Sequence, residues 1–447
     1  NIDKNTKMAY LSQRNQLLSR KKDETPRDGR LRIYQTQDVN FLLSLKNKAN
    51  FNQQRVGKTP ETLVTMRELN EINNAIIIAP GSTTYAWLYE YKFWTYQQNA
   101  IVVSSKIKKE KRAEIYKNFK GTIITTYGLV LNDIDLLLDR KIDTIVLDEA
   151  HRIRNYRNTR SNNTPATTKA LIQLSRRAKT RYALSGTPAP NEQHNIYGIL
   201  AFLFPTLFKA YWPFIEYYFK IEDIKINWEG ETRKRIGPFQ NSKKQQELTE
   251  FLEIISIQRK RTEVMQWLKE VEPTKIIVPT TARVKKQFEE LSRYYEIAEA
   301  EVEAVNTLDR IIKARQLAID PQLLGLKDKS VKTEWIEEYM QDYPEKSILI
   351  VSTFTSYLQN LQKQIKDSVL LIGATSNERR HEIQSMFNDK KIKVVLANLD
   401  VAKEGMKLYG ADTMIIIDRS LTYTDNEQVM DRLLPVTERL AKDKDPQ

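Results

Sequence analysis

Nine short apolar or β-branched runs, at positions 75–79, 101–103, 122–126, 144–147, 182–184, 348–351, 369–372, 394–396 and 414–417, alternate with helix-period stretches. Runs this short and this uniformly apolar suit strands covered on both faces. Strands separated by helices pair in parallel. The runs form two series with a long interval between residues 184 and 348, which implies two α/β lobes. The expected organisation is an extension over residues 1–30, a first lobe over 31–270 with an insertion near 202–245, and a second lobe over 271–447. Within the insertion, Phe202, Phe204, Phe208, Tyr211, Trp212, Phe214, Tyr217 and Tyr218 suit core packing better than a base-stacking platform. Ile226-Asn227-Trp228-Glu229-Gly230-Glu231 reads as a hairpin turn leading into the basic strand Arg233-Lys234-Arg235. Helices are expected over 245–268 and 282–315.

One strand end and one upstream turn carry chemistry. Asp148-Glu149-Ala150-His151 directly follows Thr144-Ile145-Val146-Leu147, and an acidic pair at the end of a buried strand is costly unless it holds a cation. Gly57-Lys58-Thr59 lies 90 residues upstream, counted from Lys58 to Asp148. A Gly-Lys-Thr turn entering a helix wraps backbone N–H groups around phosphate, with Lys58 as counter-charge and Thr59 as a Mg²⁺ ligand. Together the motifs make an ATP·Mg²⁺ site in which Asp148 holds the metal and Glu149 orients the attacking water. The phosphate-loop pattern is incomplete, since Asn52 stands where its first glycine belongs and Arg55 interrupts the turn.

Composition narrows the alternatives. Lys and Arg number 71 against 57 Asp and Glu, a formal charge of +14, which favours a polyanionic partner. There is no Cys and there are only three His, at 151, 194 and 381. Disulfides, thiolate chemistry and a Cys- or His-built metal centre are therefore not expected. No apolar stretch reaches membrane-spanning length and residues 1–28 lack an apolar signal core, so the reading is a soluble, cytoplasmic protein.

The motifs resemble those of the superfamily-two helicases and translocases, in the DEAH-containing Snf-type branch, over roughly residues 31–435. The resemblance implies two tandem RecA-like parallel-sheet lobes with a small N-terminal extension and an inter-lobe helical and hairpin insertion. Tyr34-Gln35 resembles the family's adenine-reading glutamine motif, although the pair also suits a polar surface. Ala79-Pro80-Gly81-Ser82, with Trp87 beyond, and Thr125-Thr126-Tyr127 resemble the motifs that touch the DNA backbone, which implies DNA contacts at Pro80, Ser82, Thr125 and Thr126. After the acidic pair, Arg152-Ile153-Arg154-Asn155 is similar to the segment found there in Snf-type proteins. Leu184-Ser185-Gly186-Thr187-Pro188, followed by Asn191, resembles the motif that couples hydrolysis to DNA binding. Ile257-Gln258-Arg259-Lys260-Arg261, ending in Val264, resembles the basic segment closing the first lobe, with a solvated helix face as the alternative.

In the second lobe, residues 347–354 with Leu358, Gly373-Ala374-Thr375-Ser376 with Arg379, Arg380 and Phe387, and Ala402-Lys403-Glu404-Gly405-Met406-Lys407-Leu408 resemble successive family motifs. They imply DNA contacts at Ser352, Thr353, Thr375 and Lys403, and a nucleotide contact at Gly405. Gln428, Asp431 and Arg432 resemble the final motif, which implies that Gln428 and Arg432 act on the γ-phosphate. Pro435 stands where that motif normally has a second arginine. Either Arg432 serves alone, Arg439 substitutes, or the ATPase is weak or regulated; the first is favoured because the other motifs are intact.

The resulting expectation is an ATP-dependent translocase or helicase on duplex, forked or branched DNA in replication, recombination or repair. One alternative is a branch-migration or fork-reversal remodeller, with residues 1–30 or the Trp228 hairpin as a wedge. Another is a nucleotide-gated DNA-binding module with weak or no ATPase. An RNA helicase fits less well, because the segments 79–87 and 184–191 are Snf-like. The basic run 106–112 either joins the DNA surface or is a solvated helix face. Compact length and Lys/Asn/Ile-rich usage point to a bacteriophage or bacterial member, working in the bacterial cytoplasm, rather than a eukaryotic remodeller.

Overall fold

The structure is a computed structural model that describes residues 30–153, 164–189, 192–225, 232–266, 273–403, 406–421 and 423–430. Residues 1–29 of the proposed extension, Arg154, Asn155, Asn191, Trp228, Glu404, Gly405, Asp431, Arg432, Pro435 and Arg439 lie outside the described residues. Packing divides the chain into two compact units, Asn1–Gln266 and Trp267–Gln447. No helix among the described residues is long and apolar enough to cross a membrane.

In the first unit, the strands β1 (Asn47–Asn50), β2 (Ala75–Ala79), β3 (Ala100–Val102), β4 (Thr122–Thr126), β5 (Thr144–Asp148), β6 (Thr180–Leu184) and β9 (Ser256–Ile257) form one sheet. Its order is β3-β4-β2-β5-β6-β1-β9, and every pairing in it is parallel. The central strands are buried on both faces. Ile76, Ile78, Ile145 and Leu147 pack into one cluster, Ile77, Val146 and Leu184 into another. Parallel strands buried this way leave their chemistry to the loops at their carboxyl ends.

β1 has the sequence Asn-Lys-Ala-Asn and carries no apolar signal, yet it lies between β6 and β9. Lys48 on it is 1% exposed. Its ammonium lies 3.5 Å from Glu71 and over the Tyr182 ring, and the Tyr182 hydroxyl donates to Glu71. Burial holds the Lys48 amine below its usual range and pushes the Tyr182 phenol well up.

The aromatic insertion belongs to the first core. Phe202, Tyr211, Phe214 and Phe219 are buried with Phe251. The antiparallel ribbon β7 (Phe219–Lys225) with β8 (Thr232–Phe239) bears the expected basic strand, and Phe219 stacks on Phe239 across it. The expected helix over 245–268 is corrected. Ser242–Ile255 is helical, after which β9 adds to the sheet edge and a short helix, Arg261–Val264, follows. The helical expectation over 282–315 is also interrupted: helices Ala282–Tyr294 and Thr307–Ile319 flank a small hairpin of β10 (Glu296–Ile297) and β11 (Val302–Glu303).

In the second unit, β12 (Ile348–Ser352), β13 (Ser368–Leu371), β14 (Val394–Asn398) and β15 (Thr413–Ile416) form a parallel sheet of order β13-β14-β12-β15. Two tandem parallel-sheet α/β lobes are therefore present, each with its own core.

The basic run 106–112 divides. Most of helix Lys109–Asn118 faces solvent, but Arg112 is turned inward. Its guanidinium donates two 2.6 Å hydrogen bonds to Asp133, which also accepts from Tyr116 at 3.1 Å. Removing one partner of a buried bidentate pair leaves an uncompensated charge costing about 3–5 kcal/mol. Arg112→Ala is thus expected to lower the melting temperature of the first lobe by several degrees, while Lys109→Ala changes it little. Equal melting temperatures for the two variants would return Arg112 to the surface-charge class.

Candidate nucleotide site and strand-end loops

The phosphate loop runs from Phe51 to Gly57 between β1 and the helix Lys58–Glu68. It turns through two left-handed residues, Arg55 (φ 66°) and Gly57 (φ 120°). Gly57 is required twice over. Its backbone angle disfavours a side chain, and a Cβ there would lie 2.0 Å from Gln35 Nε2. The Lys58 ammonium donates to the Asn52 carbonyl at 2.8 Å and lies 3.4 Å from that of Gln53. Thr59 is half-buried in the first turn of the helix.

Tyr34 and Gln35 brace this loop. The Tyr34 hydroxyl and Gln35 Nε2 both donate to the Val56 carbonyl, at 2.7 and 3.1 Å, and Gln35 Oε1 accepts from the Arg32 N–H. Burial pushes the Tyr34 phenol up to about 12. Gln35 is 8% exposed, which rules out the polar-surface alternative for it.

Asn52 explains its own departure from the glycine pattern. It is fully buried, and its Nδ2 donates to Asp38 at 2.8 Å and to Glu61 at 3.0 Å. Asn50 donates to the same Glu61 oxygen at 2.6 Å and accepts from the Asn52 N–H. Arg259 Nε closes the group on Asp38 at 2.7 Å. Burial, then the neighbouring Asp38, push the Glu61 carboxyl well above its usual range. A protonated Glu61 supplies a donor that Glu61 Oε1 and Asn52 Oδ1, both without a hydrogen-bond partner among the described residues, otherwise lack. Nothing in the sequence pattern had singled out Asp38, Asn50 or Glu61. Two main-chain bonds, Phe51 N–H to Ile257 and Gln53 N–H to Arg259, tie the loop to the basic segment after β9, and the Arg261 N–H donates to Gln53 Oε1. That segment is a loop brace, not a solvated helix face.

The acidic pair ends β5. Asp148 Oδ2 accepts the Trp87 indole N–H at 2.8 Å, and Oδ1 accepts the Glu149 N–H at 3.0 Å. Glu149 adopts a left-handed backbone (φ 53°), uncommon for a residue with a side chain. Its Oε2 lies 3.3 Å from His151 Nδ1, which is 3.2 Å from Ser185 Oγ, and that hydroxyl accepts from the Thr187 N–H. On the same turn, a Cβ on Gly186 would come within 3.3 Å of the Gln54 backbone nitrogen and 3.7 Å of Lys58 Nζ. The 184–188 turn therefore touches both the acidic pair and the phosphate loop.

The implied DNA-contact residues divide. Thr125 and Ser352 are fully buried. Thr125 Oγ1 donates to Val103 O at 3.1 Å, and Ser352 Oγ to Asp418 at 2.6 Å. Both are corrected to internal roles, because each side chain is buried and its hydroxyl is bonded inside its own lobe. Thr126 is half-buried and caps the next helix through the Leu129 N–H. Pro80 is buried at the start of the 3₁₀ turn Gly81–Thr83, and Ser82 lies on that turn. In the second unit, the Thr353 hydroxyl is engaged with Asp418, Thr375 Oγ1 accepts from Ile372 N–H, and Lys403 pairs with Asp400 and Asp425 at 2.7 and 3.2 Å. Gln428 lies on helix Tyr423–Met430.

A SNF2-related domain matches residues 34–323, and a helicase conserved C-terminal domain matches residues 331–434. The chain belongs to the SNF2-related family. It is 26% identical over 91% of its length to the ISWI chromatin-remodeling complex ATPase ISW2 of Saccharomyces cerevisiae, covering 38% of that protein. It is 24% identical over 90% of its length to the human SWI/SNF-related matrix-associated actin-dependent regulator of chromatin subfamily A member 1, covering 40% of it. The chain thus spans about two fifths of the curated relatives it matches. A solved Sulfolobus solfataricus SWI2/SNF2 ATPase core in complex with dsDNA is 23% identical, covering 87% of this chain and 82% of that one, at a TM-score of 0.43.

Two outcomes test this site. Asn52→Gly, which restores the usual glycine, removes the donor shared by Asp38 and Glu61. It should cost on the order of 1–3 kcal/mol, read as a lowered urea midpoint; a stabilised variant would show that the buried network is incidental. For Asp148, burial and then the neighbouring Glu149 push the carboxyl up to about 6, opposed by Trp87 and Lys58. A folded-state value above the unfolded one means that ionising Asp148 costs stability. That cost is absent below about pH 4 and grows as pH rises through about 6. Nucleotide-free Asp148→Asn should therefore melt a few degrees above the parent at pH 8, with the gain fading toward pH 4. A gain independent of pH would sink the assignment.

Proposed function

We propose that the chain is a DNA-dependent ATPase that translocates along duplex DNA. The observation that carries this reading is the meeting, within one lobe, of the Lys58 loop, the 184–188 turn and the Asp148-Glu149 pair at the carboxyl ends of parallel strands. Membership of the SNF2-related family and similarity to proteins described as ATPases of chromatin-remodeling complexes support it.

Gly57, Lys58 and Thr59 bind the phosphates, and Tyr34 and Gln35 hold the loop while flanking the base. No group of three or more His, Cys, Asp or Glu among the described residues could cage a metal. Mg²⁺ needs no such cage, since it is held by one or two carboxylates together with nucleotide phosphates and water. Asp148, raised by burial beside Glu149, and the Thr59 hydroxyl fit that donor set. Mg²⁺ bound with the nucleotide supplies positive charge at the phosphates. Glu149 orients water and accepts its proton, with its side chain aimed by the left-handed backbone and by His151. Gln428, Arg432 and Gly405 are assigned to the nucleotide on the motif resemblance alone, with Arg432 as the transition-state partner.

DNA contact is assigned to Pro80, Ser82, Thr126, Thr353, Thr375 and Lys403, directed at the sugar-phosphate backbone and so nearly blind to sequence. We further propose duplex, forked or branched DNA in replication, recombination or repair as the substrate, and a bacteriophage or bacterial origin with action in the bacterial cytoplasm. The first test is steady-state ATP hydrolysis with and without duplex DNA. Hydrolysis should rise with DNA, and Glu149→Gln should bind ATP yet turn over on the order of 10²–10⁴ more slowly. Turnover indifferent to DNA would remove the translocase reading; normal turnover in Glu149→Gln would move the water-activating role elsewhere.

A further inference from the structure

Two aromatic side chains from separate strand-end turns converge on Asp148. Trp87, 2% exposed in the helix Thr84–Thr95, donates its indole N–H to Oδ2 at 2.8 Å. Tyr127, the first residue of the helix Tyr127–Asn132, donates its hydroxyl to the Asp148 main-chain carbonyl at 2.6 Å. With the Glu149 N–H on Oδ1, both carboxylate oxygens and the backbone of Asp148 are held. An indole N–H is a donor only, so its natural partner here is a carboxylate oxygen.

The origin of these two donors matters as much as their target. The Trp87 helix follows directly on the 3₁₀ turn Gly81–Thr83 at the end of β2. Tyr127 directly follows Thr126, the last residue of β4. These are the two turns of the first lobe assigned above to the DNA backbone. Ser82 Oγ on the first turn has no hydrogen-bond partner among the described residues, although it is buried from water. Both links are short and rigid, a single aromatic ring from helix to carboxylate or carbonyl. A displacement of either turn by an ångström is therefore felt at Asp148 as a lengthened hydrogen bond.

We propose that Trp87 and Tyr127 are positioning residues that fix Asp148 for Mg²⁺·nucleotide and transmit DNA contact at the two turns to it. The inference rests on the DNA-dependent ATPase reading and extends it to the path of coupling. Each link is removed with an aromatic side chain kept: a phenyl replaces the indole in Trp87→Phe, and the same ring loses only its hydroxyl in Tyr127→Phe. The measurements are the affinity for an N-methylanthraniloyl ATP in EDTA and in Mg²⁺, the ATPase rate with and without a short duplex, duplex affinity, and thermal melting.

The expected result is a loss in the Mg²⁺ enhancement of nucleotide affinity, about tenfold for Trp87→Phe, whose bond to the carboxylate is charge-assisted, and about threefold for Tyr127→Phe, whose bond is to a neutral carbonyl. The stimulation by DNA should fall with it, while metal-free nucleotide affinity and duplex affinity stay near those of the parent. Folded variants that keep the parental Mg²⁺ enhancement and DNA stimulation overturn the proposal, as does a uniform loss of all binding, which is the mark of mere packing. If Trp87→Phe fails to fold, Tyr127→Phe decides alone, since it loses a single oxygen. If the parent protein itself shows no DNA stimulation, the DNA-dependent reading fails. The Mg²⁺ enhancement then still tests whether these side chains position Asp148.

Discussion

A cluster of buried polar residues in the first lobe anchors the phosphate loop, and the rest of the site depends on that arrangement. β1 and the residue two beyond it carry Lys48, Asn50 and Asn52 into the core. A buried amide or ammonium left alone costs several kcal/mol. Here each is met: Lys48 by Glu71 and the Tyr182 ring, Asn50 and Asn52 by Glu61 and Asp38. Asp38 and Glu61 come from the helices Ile33–Leu43 and Lys58–Glu68, on either side of the loop, and Glu71 lies just beyond the second of these. The loop is thus fastened to its flanking helices by charge and amide pairing where a glycine-rich sequence would depend on backbone alone.

From that anchor the chemistry spreads along the ends of neighbouring strands. Asn50, Leu184 and Asp148 are level with one another in the register of β1, β6 and β5. The turn after β6 consequently lies between the two motifs, and Gly186 packs tightly against Gln54, whose atoms would lie 3.3 Å from a Cβ there. His151 and Ser185 complete the bridge to Glu149. Contacts of this kind couple sites through packed, hydrogen-bonded elements, and a glycine there admits no slack.

Both apolar strand series were legible from residues alone, because strands buried on both faces announce themselves as short apolar runs. β1 was not. Asn-Lys-Ala-Asn has a low strand propensity, and the network that overrides it joins residues far apart in the chain. The same reason hid Asp38 and Glu61, which look like ordinary helix-surface acids until the fold closes over them. β9 was lost for want of length, two residues being too few to show a period. At the site, the Gly-Lys-Thr signal marked a turn entering a helix and the Asp-Glu-Ala-His signal marked an acidic pair at a strand end. A motif names positions but not the direction a side chain takes, so Thr125 and Ser352 were read as surface contacts although they close the core.

The left-handed backbone at Glu149 has a consequence for how this protein would respond to selection. A side chain held at positive φ costs on the order of 1 kcal/mol relative to glycine. Beside it Asp148 bears a charge that burial opposes. A laboratory screen for thermal resilience alone would therefore be drawn to these two adjacent positions, replacing Glu149 by glycine and Asp148 by an uncharged residue. On the proposed reading of this site, the hardiest descendants would be the ones unable to turn over nucleotide. Tension between durability and work is concentrated in a single dipeptide, and any attempt to harden this scaffold has to leave it untouched.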